Sequence, residues 1–457
     1  MIKNTLASKF VEFNQVYPDP MGILLKNGHL VTQNKNNDTF IGDILIEDDR
    51  ISRIEKHIED RNHQNILIDN LVVVPGFIQS HVHLCQTLFR NLSDDLELMD
   101  WLEQHIWPFE MAHTQESLRI SAQLGLSELL LNGTTSILDM GISHHQEIIF
   151  EEMATSGIRG FTGMVMMDAG EQSYKQKTDE IIYQTRELIS KWHNSFGGRI
   201  QYALAPRFVP SCSDKLWQQV KQLSEQHQLI IHSHASENKE ECRIVKERTG
   251  YSNVEFFVKH DLASAHLCLA HCIWVSEEEI QMLADYNINV LHCPSANLKL
   301  GSGFAPIPEF ISHGINVSLG SDGASCNNNL DIFNEMRLAA LIQKPLRGVK
   351  TTSAKMIFDM ATRGGAKSLG LSDQIGSLEI GKKADLVVMN LNKVHSIPAD
   401  DIYSQIVYSG KASDILHVMV NGEWMVFDKK LKPYQEKIII ENSWKAIQEL
   451  LKRIEAI

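Results

Sequence analysis

LVVVPGFIQSHVH, residues 71–83, is an apolar run that ends in two histidines separated by one residue. Valine and isoleucine favour β-structure, and residues two apart on a strand project to the same face. His81 and His83 could therefore hold one divalent cation from a rigid strand. A single pair is ambiguous, because a buried, hydrogen-bonded histidine is the more common case. The metal hypothesis depends on whether further ligands occur where one fold could bring them together.

Seven more β-branched runs follow the first, and helical patterns separate them. The predicted strands are 71–83, 134–140, 158–168, 199–207, 229–234, 266–272, 288–293 and 315–322. Helices are predicted for Thr114 to Leu131 and after a capping box at Ser276–Glu279. Strands alternating with helices indicate a parallel sheet, and eight such units fit an α/β fold of the (β/α)8 TIM-barrel type. An open doubly wound sheet is disfavoured because no GxGxxG turn follows the first strand.

Both flanks of this region read as short strands with turn residues. Asn-Gly pairs at 27–28 and 421–422 each predict a strand, turn, strand unit. The simplest arrangement is a small β-sandwich formed from both termini. The predicted domains are 1–70 for the N-terminal part of this sandwich, 71–370 for the barrel, and 371–457 for the C-terminal part with a closing helix over 441–457.

Composition excludes several classes of function. The chain has 457 residues, 43% of them hydrophobic and 22% charged, as in a soluble globular protein. A formal charge of −14 without basic runs argues against a nucleic-acid polymer as partner. Seven scattered cysteines without a CxxC pair indicate reduced thiols. Residues 1–6 lack the apolar region of a signal peptide, and no apolar run is long enough for a membrane span, so we expect a cytoplasmic protein without membrane association.

Potential metal ligands or proton carriers stand at the ends of five of the eight predicted strands. They are His81 and His83 on the first, His234 on the fifth, His271 on the sixth, His292 on the seventh and Asp322 on the eighth. In a TIM barrel, chemistry is located at these carboxyl ends. Twenty histidines make one or two coincidences easy, but not this number at corresponding positions. The pattern therefore predicts a metal site.

Three imidazoles and one carboxylate with an open position suit Zn²⁺ or Fe²⁺ carrying a water molecule. The predicted ligands are His81, His83, His234 and Asp322. One ion is expected rather than two, because no lysine that could be carboxylated lies near the end of the fourth strand. Glu237, three residues after His234, is predicted to carry protons between water and a ring nitrogen.

PGFIQSHVH, HASE, LAHC, HCPSANLKLGSG, LGSDGASCNN and GKKADLVV together resemble the motifs of the amidohydrolase superfamily, in the same order and over nearly the whole chain. The chain looks most like its aminohydrolases: methylthioadenosine/S-adenosylhomocysteine, 5′-deoxyadenosine and guanine deaminases, and triazine hydrolases. The resemblance implies the same four metal ligands. It also implies that Glu237 protonates the substrate ring, that His271 orients the attacking hydroxide, and that Asp322 passes the proton of water to departing ammonia.

For the substrate, the resemblance points in two directions. The segment WLEQHIWPFE, residues 101–110, resembles methylthioadenosine/S-adenosylhomocysteine deaminases and implies that Glu110 binds ribose hydroxyls. The segment PRF at 206–208 and Gln86 are closer to guanine deaminases and imply that Arg207 and Gln86 contact the substrate. His292 is also expected to bind substrate.

The resulting prediction is a metal-dependent hydrolytic deaminase of an aminopurine, with an adenine nucleoside modified at its 5′ end as the favoured substrate. The products would be the inosine derivative and ammonia. Guanine deaminase is the first alternative and triazine hydrolase a weaker one. A non-catalytic assembly protein is disfavoured because no ligand or proton carrier is missing. The expected cofactor is one divalent metal ion, zinc before iron, and the expected partners are a purine or nucleoside, water and further copies of the chain.

Overall fold

A barrel of eight parallel strands forms the centre of the protein in the computed structural model, which describes residues 22–60, 62–170 and 175–455. Its strands are Phe77–His83, Thr134–Asp139, Arg159–Thr162 with Val165–Met166, Ile200–Tyr202 with Ala205–Pro206, Ile231–Ala235, Leu267–His271, Asn289–His292, and Val317–Leu319 with Asp322–Gly323. Bridges from Leu204 and Phe208 join the fourth strand to the fifth. The pairing of Asp322 with Val82 closes the eighth strand onto the first. The predicted TIM barrel is confirmed.

The run at 71–83 forms two strands rather than the single strand predicted. Val72–Pro75 joins a sheet outside the barrel, and Phe77–His83 begins the barrel with all seven residues buried. Pro75 and Gly76 mark the break, where the Gly76 N–H donates to the carbonyl of Asp385 at 2.9 Å. Proline has no N–H for a continuous ladder, which explains why the apolar run changes sheets here.

The second sheet contains nine strands among the described residues and combines both flanks of the barrel. In order they are Lys430–Leu431, Glu423–Phe427, Ile415–Val420, Leu386–Met389, Val72–Pro75, Ile23–Val31, Thr39–Glu47 and Arg50–Glu55, with Gln64–Leu67 also paired to Ile23–Val31. Hydrogen bonds connect these strands from both flanks into one continuous sheet. That this sheet is the predicted small sandwich stays a prediction. The domain limits at 70 and 370 stay a prediction. Residues 1–21 lie outside the described residues, so the expectation about a signal peptide stays a prediction as well.

Only one of the two Asn-Gly pairs forms the predicted turn. Asn421 and Gly422 connect two antiparallel strands that pair Val420 with Glu423. Asn27 and Gly28 instead lie inside the strand Ile23–Val31, where the register shifts. The Asn27 N–H donates to Asp43 Oδ1 at 2.8 Å, and Asn27 has a φ of 61°. The left-handed conformation that Asn tolerates is used here in a bulge rather than a hairpin.

Helices surround the barrel and connect its strands. The α-helices are Leu98–Trp101, Trp107–Met111, Gln115–Leu131, Glu147–Ser156, Thr178–Trp192, Ser195–Gly198, Asp214–His227, Lys239–Thr249, Asn253–Lys259, Glu277–Asp285, Pro294–Lys299, Ile307–Ser312, Ala324–Asn327, Ile332–Ile342, Lys344–Arg347, Ala354–Asp359, Gly365–Ser368, Ile402–Ser404 and Glu436–Glu455. Shorter 3₁₀ turns are Leu84–Phe89, Val209–Ser211 and Ala412–Asp414, and π turns are Leu102–Ile106, Met360–Gly364 and Gln405–Ser409. The predicted capping box of Ser276 and Glu279 is present. In the described part of the chain, no helix combines the length and apolarity needed to cross a membrane.

A buried ion pair joins the barrel to the nine-stranded sheet. Arg159, which begins the third barrel strand, donates from Nε and Nη2 to the two carboxylate oxygens of Asp385 at 2.7 and 3.0 Å. Asp385 belongs to the GKKADLVV motif and also accepts the N–H of Asn421 at 2.8 Å. Two parallel guanidinium hydrogen bonds fix the geometry of a carboxylate. The motif thus holds both flanks against the amino-terminal end of the barrel.

The closing helix Glu436–Glu455 packs beside Gln115–Leu131, and it begins five residues before the predicted range. Ala446 and Leu450 are buried in a cluster that includes Trp101 and Phe109. Arg453 Nε donates to the carbonyl of Ala112 at 2.9 Å. This helix therefore supports the segment that connects the first barrel strand to the second.

Candidate active site

The four predicted metal ligands meet at the carboxyl end of the barrel. Nε2 of His81 and Nε2 of His83 lie 3.3 and 3.2 Å from Asp322 Oδ1. The ring centroid of His234 is 4.8 Å from that of His81. Four ligand atoms arranged tetrahedrally around zinc, each about 2.1 Å from it, are about 3.4 Å apart. The spacing of these side chains therefore fits one divalent cation.

The backbone at two strand ends adopts a conformation that side chains rarely allow. Asp322 has a φ of 63° and His271 a φ of 74°, both in the left-handed region. Such strain persists only where the surrounding structure enforces it, and it is concentrated at functional sites. Close packing beside Asp322 contributes, since a Cβ on Gly320 would lie 2.6 Å from the carbonyl oxygen of His81. Two strand ends that carry predicted site residues therefore have a strained backbone conformation.

Protonation states within the cluster suit a cation. Burial lowers the pKa of His81 to about 4 and holds that of His234 far below its usual value. Burial opposes ionisation of Asp322, but His81 and His83 hold the pKa of its carboxyl well below the ordinary range. His81 and His234 are therefore favoured as neutral imidazoles and Asp322 as a carboxylate, which are the forms that bind a metal.

Glu237 and His271 face the same point from two other strand ends. Glu237 Oε2 lies 3.4 Å from His271 Nε2, which is 3.8 Å from Asp322 Oδ2. The opposite nitrogen of His271, Nδ1, donates to Asn297 Oδ1 at 2.8 Å, so Nε2 carries a free lone pair toward the site. Burial and the charge of Asp322 raise the pKa of Glu237 to about 8. Glu237 consequently holds a proton at neutral pH that it can donate.

The predicted substrate-binding residues Gln86, Glu110 and Arg207 also come together, but they contact one another. Glu110 Oε2 accepts from Arg207 Nη1 at 2.8 Å, and Oε1 accepts from Gln86 Nε2 at 2.8 Å. Ser325 donates to Gln86 Oε1 at 2.6 Å, which orients the amide. Burial opposes ionisation of Glu110, yet Arg207 holds the pKa of its carboxyl below the usual value. Glu110 is therefore the anionic half of a buried ion pair.

A pocket opens between these two groups. Gln86, Arg207, Glu237 and three of the ligands form its polar side. Leu98, Trp101, Leu102 and Phe208 form an apolar wall opposite. The wall comes mostly from the helical segment after the first barrel strand, where the π turn Leu102–Ile106 interrupts the helix. π turns inside helices are frequent at functional sites.

Comparison with known proteins agrees with this geometry. Residues 72–425 match the amidohydrolase family. The chain belongs to that family. It is 35% identical over 409 residues to a 5′-deoxyadenosine deaminase of Methanosphaera stadtmanae, covering 89% of this chain and 95% of the relative. It is also 35% identical over 437 residues to a 5-methylthioadenosine/S-adenosylhomocysteine deaminase of Syntrophomonas wolfei, covering 94% and 100%. The crystal structure of an adenosine deaminase from Xanthomonas campestris with bound zinc superposes with a TM-score of 0.90, at 26% identity and with 96% and 100% of the two chains covered.

Hydrogen bonds behind the ligands of this amidohydrolase orient their rings. His234 Nδ1 donates to the carbonyl of Arg207 at 2.8 Å, which leaves Nε2 free for a cation. His81 Nδ1 lies 2.7 Å from Nε2 of the buried His232. Such partners fix the ring and its tautomer. The sequence interpretation missed His232, although His232 and His234 repeat the spacing of His81 and His83.

His292 stands apart from the other predicted residues. It ends the seventh barrel strand and is buried, and burial lowers the pKa of its ring to about 3. Neither ring nitrogen has a hydrogen-bond partner among the described residues. It is not one of the residues that line the pocket. Its contact with a substrate stays a prediction.

Proposed function

We propose that this amidohydrolase is a mononuclear, metal-dependent deaminase of an aminopurine. The observation that carries the proposal is the convergence of the four predicted ligand side chains with Glu237 and His271 at one edge of a pocket that has an apolar wall. His81, His83, His234 and Asp322 would hold the ion, with zinc favoured over iron. When bound, the cation lowers the pKa of a water molecule toward neutrality.

The side chains around the ion supply the proton transfers that deamination requires. Asp322 accepts a proton from the attacking water, and His271 orients that water through Nε2. Glu237 donates its proton to the ring nitrogen beside the attacked carbon, which lets the ring accept the electron pair. The proton on Asp322 then passes to the amino group. Ammonia leaves as the carbon becomes a carbonyl, and the proton of the newly attached hydroxyl returns to Glu237, which restores its protonated form. Water and the amino-substituted ring are thereby converted to an oxo-purine and ammonia.

We propose an adenine nucleoside with a modified 5′ end as the substrate. The relatives described above support this assignment over most of both chains. The apolar wall of Leu98, Trp101, Leu102 and Phe208 suits a neutral 5′ group such as a methyl or methylthio group. Among the described residues that line the pocket, the one lysine or arginine is Arg207, which is already paired with Glu110. A substrate carrying an amino-acid carboxylate would have to be desolvated there without a free cation, which is unfavourable.

A comparison of substrates tests this proposal directly. Ammonia release is measured for 5′-deoxyadenosine, 5′-methylthioadenosine, S-adenosylhomocysteine, adenosine and guanine with the zinc-loaded protein. We expect the first two to have the highest kcat/KM, and S-adenosylhomocysteine to be at least about tenfold slower, which corresponds to about 1.4 kcal/mol. Turnover of guanine without any nucleoside would refute the nucleoside assignment. No turnover of any purine by metal-loaded protein would refute the deaminase.

Guanine deaminase is the second candidate, and one feature of the pocket favours it. Gln86, Arg207 and Phe208 line the pocket, whereas both oxygens of Glu110 are engaged by Arg207 and Gln86. The Arg207 guanidinium, which lines the pocket although it is buried, could bind the carbonyl of a free base as readily as a sugar. The same substrate comparison separates the two candidates. Assembly into a homo-oligomer and a cytoplasmic location stay predictions.

A further inference from the structure

Glu335 is a wholly buried carboxylate that no sequence motif had marked as functional. It lies on the helix Ile332–Ile342, which follows the eighth barrel strand. Its Oε1 accepts from the Ser295 hydroxyl at 2.5 Å and from Asn327 Nδ2 at 2.9 Å, and its Oε2 accepts from the Ser295 N–H at 3.2 Å. All three donors are neutral groups from two different connections. The carboxylate therefore joins the segments that follow the seventh and eighth strands.

One branch of this network reaches a proposed metal ligand. Asn327 Nδ2 also donates to the carbonyl of Ser321 at 2.7 Å. Ser321 directly precedes Asp322, whose φ of 63° requires support from its surroundings. Glu335 accepts a hydrogen bond from the Asn327 amide, which also donates to the carbonyl of Ser321. Glu335 thereby helps to fix the backbone directly before Asp322.

The other branch reaches His271. Ser295 is in the first turn of the helix Pro294–Lys299, and Glu335 receives both its hydroxyl and its N–H. Asn297, two residues further along the same helix, accepts from His271 Nδ1 at 2.8 Å. The position of this short helix thus decides where the His271 ring is held.

We propose that Glu335 is a positioning residue that sets Asp322 and His271 relative to each other, an inference that rests on the proposed function. It touches neither the pocket nor the reacting atoms, so it acts only through Asn327 and the helix that contains Asn297. Partners behind the ligands of a metal site commonly change metal affinity or activity by about 10- to 100-fold when they are removed.

The chain provides a matched control in Glu279. This residue is also buried, and it also accepts the N–H of a serine at a helix start, from Ser276 at 3.0 Å. Its second oxygen accepts the N–H of Val254 at 3.1 Å. It lies on the outer helix Glu277–Asp285, and no described hydrogen bond connects it to a proposed site residue. Replacing its carboxyl group by an amide therefore tests the cost of such a change without disturbing the site.

The experiment compares Glu335→Gln with Glu279→Gln in the full chain. Both oxygens of each glutamate accept a hydrogen bond, so in either orientation of the new side-chain amide its NH₂ group faces a group that donated to the carboxylate. The volume of the side chain is nearly unchanged. For Glu335→Gln we expect kcat to fall about 10- to 100-fold with KM nearly unchanged, and zinc affinity, measured by chelator competition, to fall about tenfold. For Glu279→Gln we expect kcat and zinc affinity to stay within about twofold of the wild type, while both variants lose a few degrees of Tm.

Asn327→Ala provides a second variant, which removes the hydrogen bonds from Asn327 to Ser321 and Glu335 but leaves those from Ser295 to Glu335. It should lower kcat in the same direction, and in combination with Glu335→Gln the losses should not add, because both act through one network. Equal kcat and zinc affinity for Glu335→Gln and Glu279→Gln would overturn the proposal, as would a fully active Asn327→Ala if Glu335→Gln does not fold. Wild-type protein without activity on any purine would instead refute the proposed function, while the zinc titrations would still test Glu335.

Discussion

The metal side of the pocket and its substrate side are built on different principles. On the metal side, the predicted ligands stand on strand ends: Asp322 Oδ1 lies near Nε2 of His81 and of His83, and the ring of His234 lies beside that of His81. On the substrate side, the polar residues lie on connections and satisfy each other, as in the Glu110–Arg207 pair. The comparison shows that the barrel determines which chemistry is possible, whereas the connections determine which molecule receives it.

The largest effect should come from the metal side, through Asp322→Asn. The amide is a poor ligand for zinc and cannot accept the proton of water, so two functions are lost together. We expect kcat to fall by more than about 10³-fold, and the zinc content after dialysis to decrease. Metal analysis and ammonia release on the same preparation measure both effects.

Asp331→Asn is the matched control for that change. Asp331 caps the helix Ile332–Ile342 by accepting the Phe333 N–H at 2.9 Å, and an asparagine can cap in the same way. Its zinc content and kcat should match those of the wild type. An Asp322→Asn protein that keeps full activity would exclude the proposed ligand set.

Glu237→Gln should separate proton transfer from metal binding. The carboxyl faces His271 and is not one of the proposed ligands, so zinc should be retained while kcat falls by about 10²- to 10³-fold. Glu240→Gln, at an exposed position in the following helix, serves as the control. Undiminished activity of Glu237→Gln would remove the proton carrier from the mechanism.

Glu110→Gln tests the substrate side and should have a smaller effect. If Glu110 contacts ribose, KM for 5′-deoxyadenosine should rise about tenfold, equivalent to about 1.4 kcal/mol, with little change for a free base. Glu128→Gln is the control, because Glu128 also pairs with an arginine, Arg90, but lies away from the pocket. Equal losses for nucleoside and base would show that the pair with Arg207 is structural.

The smallest effect should be a pH-dependent difference in stability between zinc-free wild type and zinc-free Glu237→Gln. Burial and Asp322 raise the pKa of Glu237 to about 8, so the folded protein favours the neutral carboxyl. Its stabilising contribution is present below the ordinary pKa of glutamate and is lost as the pH rises toward 8. The variant should therefore gain Tm relative to the wild type between pH 5 and pH 8, by about a few degrees. Parallel Tm curves over this range would contradict the raised pKa.

The metal side could be predicted from the sequence because it depends on short-range patterns. β-Branched runs indicate the strands, and a closed parallel barrel brings the last residues of its strands together. His81 and Asp322 could therefore be predicted as metal ligands without knowledge of the contacts between them. The exact limits of strands and the positions of turns were harder to predict. Pro75 divided a run that looked continuous, and the left-handed conformation of Asn27 served a bulge rather than a turn.

The substrate side could not be predicted in the same way. Glu110 and Arg207 are 97 residues apart, and their pairing depends on how two connections fold over the barrel. Both Glu110 and Arg207 were predicted from the sequence to contact the substrate, but nothing in the sequence indicated that they form an ion pair with each other. Glu335 was missed for a similar reason, since its partners Ser295 and Asn327 lie on separate connections whose approach no periodicity describes.

The closing helix Glu436–Glu455 has a practical consequence for anyone who engineers this protein. Through Arg453 and the buried Leu450 it supports the segment that carries Trp101 and Glu110, and it touches none of the four proposed ligands. A fusion partner that pulls on this helix, or a protease that removes it, should therefore alter substrate preference before it alters metal content. A preparation that has lost its selectivity could still pass a zinc assay, so intact mass and a two-substrate activity ratio are the more sensitive measures of its quality.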